Sequence, residues 1–319
     1  MVRAEGRFRV PKPPIRVETD MVRARACSVR GRAGPQRSRQ STVAAVTGSI
    51  EGEPRRIPVD DATSRTATRA WWDAEADAYQ NEHEGFLGTA RWIWGPEGWD
   101  EADLGLISAP PGSRVLELGC GAAAGSRWLR SQGVQAVGMD LSHRMLQHSR
   151  RIDQQTRTSV PVVEANASEL PFGSGVFDVV GTAYGALPFL ADAGQALNEV
   201  SRVLVPGGRA VLAVTHPIRW AFPDDPGPGG LTAIRSYFDR TPYSEIDTSG
   251  RVTYVEHHRT VGDWVDLVVA AGLQLDRLVE PPWNPANASV WGGWSPLRGA
   301  LLPGTMIVIA HKPTGSQGM

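Results

Sequence analysis

The chain has 319 residues, of which 41% are hydrophobic and 21% charged, a globular balance that excludes collagen-like, mucin-like and wholly disordered classes. No apolar run approaches the roughly 20 residues needed to cross a bilayer, which excludes a membrane span. The net charge of -1 conceals two unlike parts: residues 1–40 carry ten arginines and Lys12 against Glu5, Glu18 and Asp20, a net of +8, which leaves -9 on the remainder. An acidic body is a poor match for a polyphosphate, so nucleic-acid binding is not expected of it; only the basic tail keeps that option. Cys27 and Cys120 are the only cysteines. They supply neither a disulfide framework nor a thiolate metal cage, and a reducing cytoplasm is the expected location.

Residues 1–60 are rich in Arg, Pro, Gly, Ser and Thr with no sustained apolar period, so they are expected to be disordered. A start at Val43 or Val46 would remove most of this tail. Residues 61–319 are expected to form a single domain. From 66 to 88 the pattern is helical, and Trp72, Ala76, Tyr79 and His83 share one face. A loop with Trp92, Trp94 and Trp99 and a short helix over 99–107 follow. After Pro110-Pro111-Gly112, apolar runs at 114–118, 135–140, 160–164, 177–182 and 209–215 alternate with helical stretches, which predicts a parallel sheet covered on both faces. Pro206-Gly207-Gly208 separates the helix carrying Leu197, Val200 and Leu204 from the next strand. Beyond His216 lie a proline-rich loop and two strand-like runs, 236–246 and 251–258, around an Asp247-Thr248-Ser249-Gly250 turn. A helix (261–271), a strand (275–280), a second tryptophan-rich loop and a last strand (305–310) complete the chain. Ten of the eleven tryptophans lie outside 110–215, so the segments 66–110 and 216–260 are expected to cap a cleft.

The strongest motif is Val115-Leu116-Glu117-Leu118-Gly119-Cys120-Gly121-Ala122-Ala123-Ala124-Gly125, an apolar strand running into a glycine loop that opens a helix. Such a loop brings backbone N–H groups close to a ligand at the helix start. Asp140 ends the following strand, where a carboxylate can accept both hydroxyls of a ribose. Together they indicate a ligand containing adenosine. Glycines at 119, 121 and 125 depart from the dinucleotide spacing G-x-G-x-x-G. A carboxylate at Glu117 would also repel a pyrophosphate, yet it favours the ammonium and sulfonium of S-adenosylmethionine.

On these residues the sequence resembles the class I S-adenosylmethionine-dependent methyltransferases over about residues 70–311. The resemblance is carried by Glu117-Leu118-Gly119-Cys120-Gly121, by Gly138-Met139-Asp140-Leu141-Ser142, by Asn166-Ala167-Ser168-Glu169-Leu170-Pro171-Phe172 with Phe177-Asp178-Val179-Val180, and by Val203-Leu204-Val205-Pro206-Gly207-Gly208. It implies a Rossmann-like α/β fold: a seven-stranded, mostly parallel sheet with helices on both faces, an antiparallel last strand, an N-terminal helical cap and a hairpin insertion. It further implies that Asp140 holds the ribose, that Leu141 packs on the adenine, that Asn166 and Ala167 lie at the adenine edge, and that a carbonyl near Ala183 holds the methionine ammonium. Asn166 stands where relatives often carry Asp, and Ala123 where they carry a third glycine; Cys120 reads as a small side chain in a crowded loop.

Methyl transfer needs an acceptor in line with the donor, water excluded, and a base where the acceptor must lose a proton. In an open parallel sheet the reacting centre lies beyond the carboxyl ends of the strands, which makes His216 the first candidate base. Tyr79 and His83 are further candidates on the capping helix. His257 and His258 are adjacent on a strand-like run and so face opposite ways; solvent exposure is the expectation for each. No metal-ligand spacing is present. The flanking Trp92, Trp94, Trp220, Trp283, Trp291 and Trp294, with Tyr237 and Tyr254, point to an enclosed pocket for a small molecule. Two rival readings are a nicotinamide-dependent oxidoreductase and a cofactor-binding protein without catalysis. The acceptor and the oligomeric state are not legible.

Overall fold

The computed structural model describes residues 53–183 and 185–315; the expectations for the basic tail, its alternative starts and Cys27 lie outside them. Strand β1 (Glu53–Arg56) precedes helix α1 (Asp61–Leu87), which Asp60 caps by accepting the Thr63 N–H at 2.8 Å. A short helix α2 (Glu101–Leu104) leads into the alternating core: β2 (Arg114–Leu118), α3 (Ala124–Ser131), β3 (Gln135–Asp140), α4 (His143–Thr156), β4 (Val162–Glu164), β5 (Phe177–Thr182), α5 (Ala193–Val203) and β6 (Leu204–Thr215). The hairpin β7 (Tyr243–Ile246) and β8 (Val252–Glu256) follows, then α6 (Val261–Ala270), β9 (Gln274–Val279), α7 (Pro296–Gly299) and β10 (Thr305–His311).

Seven strands form one sheet in the order β4-β3-β2-β5-β6-β10-β9, parallel except for β10, which runs antiparallel to both neighbours. This is the expected Rossmann-like architecture with its antiparallel last strand. The alternation of side chains along a strand divides the core. Ala210, Leu212 and Val214 of β6, with Met306, Val308 and Ala310 of β10, face Leu197 and Val200 of α5 and Trp264 and Val268 of α6. Val211, Ala213, Ile307 and Ile309 face the other way, onto Trp92, Trp94, Ile107 and Leu129. Burial on both faces explains why the central strands read as continuous apolar runs. Pro206-Gly207-Gly208 lies within β6, where pairing with β5 steps from Phe177↔Leu204 to Val179↔Arg209.

A second, three-stranded sheet, β1-β7-β8, is antiparallel throughout. Its β8 packs on α1, so α1 and the hairpin form one cap. The presence of β1 corrects the expectation of disorder through residue 60. Glu-Pro-Arg-Arg carries no apolar signal, and its strand form comes from pairing with the edge of β7; a proline is tolerated on such an edge. Among the described residues no helix is long and apolar enough to cross a membrane.

Ala123 shows how closely the loop before α3 is constrained: it adopts the left-handed conformation, φ 58° and ψ 35°, at the helix N-cap. That conformation costs an alanine about 1–2 kcal/mol. Arg127 holds the same region together. It is 2% exposed, pairs with Asp153 of α4 at 2.8 Å and donates to the Thr89 carbonyl at 2.7 Å. Removing one partner of a buried pair strands the other. Arg127→Met is therefore expected to lower the unfolding free energy by about 3 kcal/mol in urea denaturation. A loss below about 1 kcal/mol would show that this pair does not tie α3 to α4.

Candidate functional site

The loop between β2 and α3 turns at Gly119 (φ 64°) and Gly121 (φ 53°), a region that favours glycine. A Cβ on Gly119 would stand 2.7 Å from the Ala186 Cβ, so the backbone reaches the opposite loop only without a side chain. Asp140, at the carboxyl end of β3, fixes this geometry: one carboxylate oxygen accepts the Gly121 N–H at 2.8 Å and the other the Ser142 N–H at 2.8 Å. Each oxygen keeps a further lone pair. Burial raises the Asp140 pKa despite these donors.

Gly119, Gly121, Asp140 and Leu141 line one cavity with Asn166, Ala167 and Ala183. Asn166 Oδ1 accepts the Ser168 N–H at 3.0 Å, and the Ala183 carbonyl accepts the Gly185 N–H at 3.0 Å; each oxygen retains a lone pair. Trp72 and Tyr79 of α1 and Phe189 close the same cavity from the cap side. Glu117 and Cys120 are not among its lining residues. The Glu117 carboxylate accepts the Ser126 N–H and hydroxyl at 2.6 and 2.5 Å, at the first turn of α3, and burial pushes its pKa up to about 7. Cys120 gives its N–H to the Met139 carbonyl, and burial raises its thiol pKa.

A larger cavity of about 570 Å³ lies between α1, the β7–β8 hairpin and the segment after β6, within the range of small-molecule sites. The two cavities meet at an aromatic wall. Trp72 and Phe189 line the first, Trp71 and Tyr254 the second, with ring centres 4.8 Å apart for Trp71 and Trp72 and 5.7 Å for Phe189 and Tyr254. A third cavity, about 220 Å³, shares Arg219, Asp224 and Glu256 with the second and reaches Val214 and Thr215 at the carboxyl end of β6.

Residues 116–212 match a family model described as a methyltransferase domain. The demethylmenaquinone methyltransferase of Mycobacterium tuberculosis is 35% identical over 220 residues, 67% of this chain and 81% of that protein. The protein of that name from Beutenbergia cavernae is 31% identical over 178 residues, 55% and 69% of the two chains. The chain belongs to the S-adenosylmethionine-dependent methyltransferases. The crystal structure of an S-adenosylmethionine-dependent methyltransferase from Mesorhizobium loti superposes with a TM-score of 0.53 at 26% identity, covering 66% of this chain and 95% of that one. The fold is also that of the Burkholderia thailandensis 1,6-didemethyltoxoflavin-N1-methyltransferase, with a TM-score of 0.53 at 18% identity over 82% and 94% of the chains.

The cofactor of this methyltransferase is S-adenosylmethionine, and the first cavity fits it: a buried carboxylate with free lone pairs, apolar walls at Leu141 and Met145, and a backbone cradle that a Cβ would fill. Of the three side chains expected to take part in chemistry, the structure puts only Tyr79 on a cavity wall. His83 stacks on Trp291 at 3.7 Å. His216 is 6% exposed and engaged at both nitrogens: Nδ1 accepts the Ile218 N–H at 3.1 Å, which leaves the proton on Nε2 facing Glu280 at 2.7 Å. It caps the helical turn 217–221 and lines none of the three cavities.

His257 and His258 do face opposite ways, but both are buried, against the expectation of solvent. One side of their run is covered by α1, where His257 Nε2 lies 2.9 Å from the Ser64 hydroxyl; the other is covered at the Tyr237 carbonyl, 2.6 Å from His258 Nε2. Burial, with Arg259 nearby, lowers the His257 pKa to about 4. Among the tryptophans, Trp92 packs in the core, while Trp220, Trp291 and Trp294 line cavities.

Tyr254 is one of the expected pocket residues; Tyr243, Glu245 and Glu256, beside it on the hairpin, are not. Tyr243-Ser244-Glu245 and Tyr254-Val255-Glu256 repeat one pattern at period two, and the strand register sets Tyr243 opposite Glu256 and Glu245 opposite Tyr254. All four side chains line the large cavity. The repeat was the available signal.

Glu117 supplies a test. A carboxyl at about 7 in the fold, against an ordinary 4.5, costs no stability below about pH 4.5, costs progressively more up to about 7, and the full amount above. Glu117→Gln keeps an oxygen for both Ser126 donors and removes the charge. It is expected to raise the unfolding free energy at pH 8 by roughly 1–3 kcal/mol and to flatten its pH dependence between about 5 and 7. An unchanged pH profile would contradict the burial of an ionisable Glu117.

Proposed function

We propose that this methyltransferase acts on a small aromatic acceptor bearing a hydroxyl group, bound in the large cavity with its nucleophilic oxygen turned toward the aromatic wall. The observation that carries this reading is the Tyr254–Glu256 pair facing that cavity beside the cofactor site. The Glu256 carboxylate is 9% exposed, receives the Tyr254 hydroxyl, and lies 3.2 Å from the Arg219 guanidinium. Burial, with the charge of Glu256, keeps the Tyr254 phenol protonated and therefore donating.

Bound S-adenosylmethionine supplies an electrophilic methyl group on a sulfonium. Asp140 would hold its ribose hydroxyls, Leu141, Asn166 and Ala167 its adenine, and the Ala183 carbonyl its ammonium. Gly119, Cys120 and Gly121 shape the cradle through their backbone, and Glu117 secures the start of α3 beside it. Tyr79, Trp72 and Phe189 exclude water from the cap side. Glu256 takes the proton of the acceptor hydroxyl, and Arg219 holds the resulting acid in place. His216 and His83 act as positioning residues, the first through the turn after β6 and the second through Trp291.

The relatives' name, demethylmenaquinone methyltransferase, brings in a quinone nucleus as a second reading. Three arginines and four carboxylates in the cavity lining favour a polar acceptor over an apolar one.

The test is transfer of labelled methyl from S-adenosylmethionine to a panel of phenols that includes a demethylmenaquinol. Glu256→Gln is expected to lower turnover on the accepted phenol about 10²–10⁴-fold, the span of general base catalysis, with cofactor affinity unchanged. Asp140→Ala is expected to do the converse, weakening cofactor binding by about 1.5–3 kcal/mol. Full turnover in Glu256→Gln would remove the proposed base.

A further inference from the structure

The charges lining the large cavity do not balance locally. Arg219 pairs with Glu256 at 3.2 Å and with Asp224 at 3.6 Å, and the Glu245 carboxylate accepts the Tyr243 hydroxyl at 2.9 Å. Two further guanidiniums line the same cavity, Arg56 and Arg235. Neither has a carboxylate within ion-pair distance among the described residues; the one hydrogen bond of Arg56 runs from Nη1 to the Thr241 carbonyl at 2.9 Å. Its Nε is buried without a partner.

Arg56 is held in place by its surroundings. Strand pairing sets it opposite Tyr243, and its guanidinium stands 4.7 Å from the centre of the Trp220 ring and 5.6 Å from that of Tyr243. Arg219 packs on the same Trp220 ring, also at 4.7 Å. Burial, together with the like charge of Arg235, holds the Arg56 pKa below its ordinary value, against the opposing charges of Asp239 and Glu256, neither of which is within ion-pair distance. A planar cation held on an aromatic face, with one hydrogen bond and no carboxylate in direct contact, has donors left for an anionic group.

Taking the acceptor cavity proposed above as its premise, we infer that the acceptor carries a carboxylate, received by Arg56 with Arg235, while the hydroxyl to be methylated faces Tyr254 and Glu256. A carboxylate fits better than a phosphate, because Glu75, Asp224, Glu245 and Glu256 share the lining and a second negative charge would meet them. Glu75 is the competing feature, a half-buried carboxylate in the same lining; an acceptor held by it would carry an amine instead.

The experiment titrates the full chain, saturated with S-adenosylhomocysteine, with three matched phenols: 4-hydroxybenzoate, 4-hydroxybenzamide and 4-hydroxybenzylamine, together with the cinnamic acid and cinnamide homologues. The carboxylates are expected to bind about tenfold or more tightly than the amides. Arg235→Gln and Arg56→Gln are each expected to narrow that gap by raising Kd for the carboxylates alone, and Arg56→Lys to restore part of it. Arg235 is exposed, so its variant carries the test if Arg56→Gln disturbs β1.

Equal binding of acid and amide, preference for the amine, or a gap that survives both substitutions would overturn the carboxylate. If phenols bind regardless of charge and Glu256→Gln still abolishes turnover, the carboxylate falls while the cavity reading stands. If S-adenosylhomocysteine binds and no phenol of any charge does, both fall.

Discussion

Two backbone N–H groups converge on the Asp140 carboxylate, and the site is arranged around that convergence. Gly121 belongs to the loop after β2 and Ser142 to the turn after β3, so one side chain sets the spacing of two loops that a parallel sheet leaves independent. The Gly119 backbone can then approach Ala186, and Ser142 in turn caps α4 by accepting the Met145 N–H. Because the donors occupy one lone pair on each oxygen, the carboxylate that organises the loops is also the group free to meet a ligand hydroxyl. Burying a carboxylate costs desolvation, and the two backbone donors offset part of that cost here.

The cap is joined to this centre through α1. Asp73 accepts the Ser142 hydroxyl at 2.7 Å, and Asp77 meets His148 of α4 at 2.7 Å, so α1 is anchored to the helix that Asp140 helps to start. On its other side α1 meets the hairpin, where Ser64 touches both the Phe189 carbonyl and His257. Trp71 and Trp72, adjacent in sequence and perpendicular at 90°, serve different cavities: the second closes the Asp140 cavity and the first lines the larger one. One helix thus walls both cavities, as the proposed transfer between an oriented donor and acceptor with water excluded requires.

Much of the core was legible because its signals are local. The central strands are apolar runs buried on both faces, and the glycine loop with Asp140 one strand later is a short-range pattern. The last strand was legible for the same reason. Elements formed by long-range pairing were not. Glu53–Arg56 looks like the continuation of a disordered tail and becomes a strand only against β7, so Arg56 could not be placed in a site from its own neighbourhood. His216 stands at a strand end, where a base is expected, but the chain turns immediately after it and the ring caps that turn. The hairpin repeat of Tyr and Glu was present in the sequence; its meaning depends on the register that places the four side chains on one face.

Parallel calorimetric titration of the chain with S-adenosylmethionine, S-adenosylhomocysteine and NADH tests the cofactor most directly. Micromolar binding of both sulfur ligands, near -8 kcal/mol, with no heat from NADH is the predicted result. Binding of NADH without the sulfur ligands would contradict the assignment of the Asp140 cavity and the acceptor site derived from it.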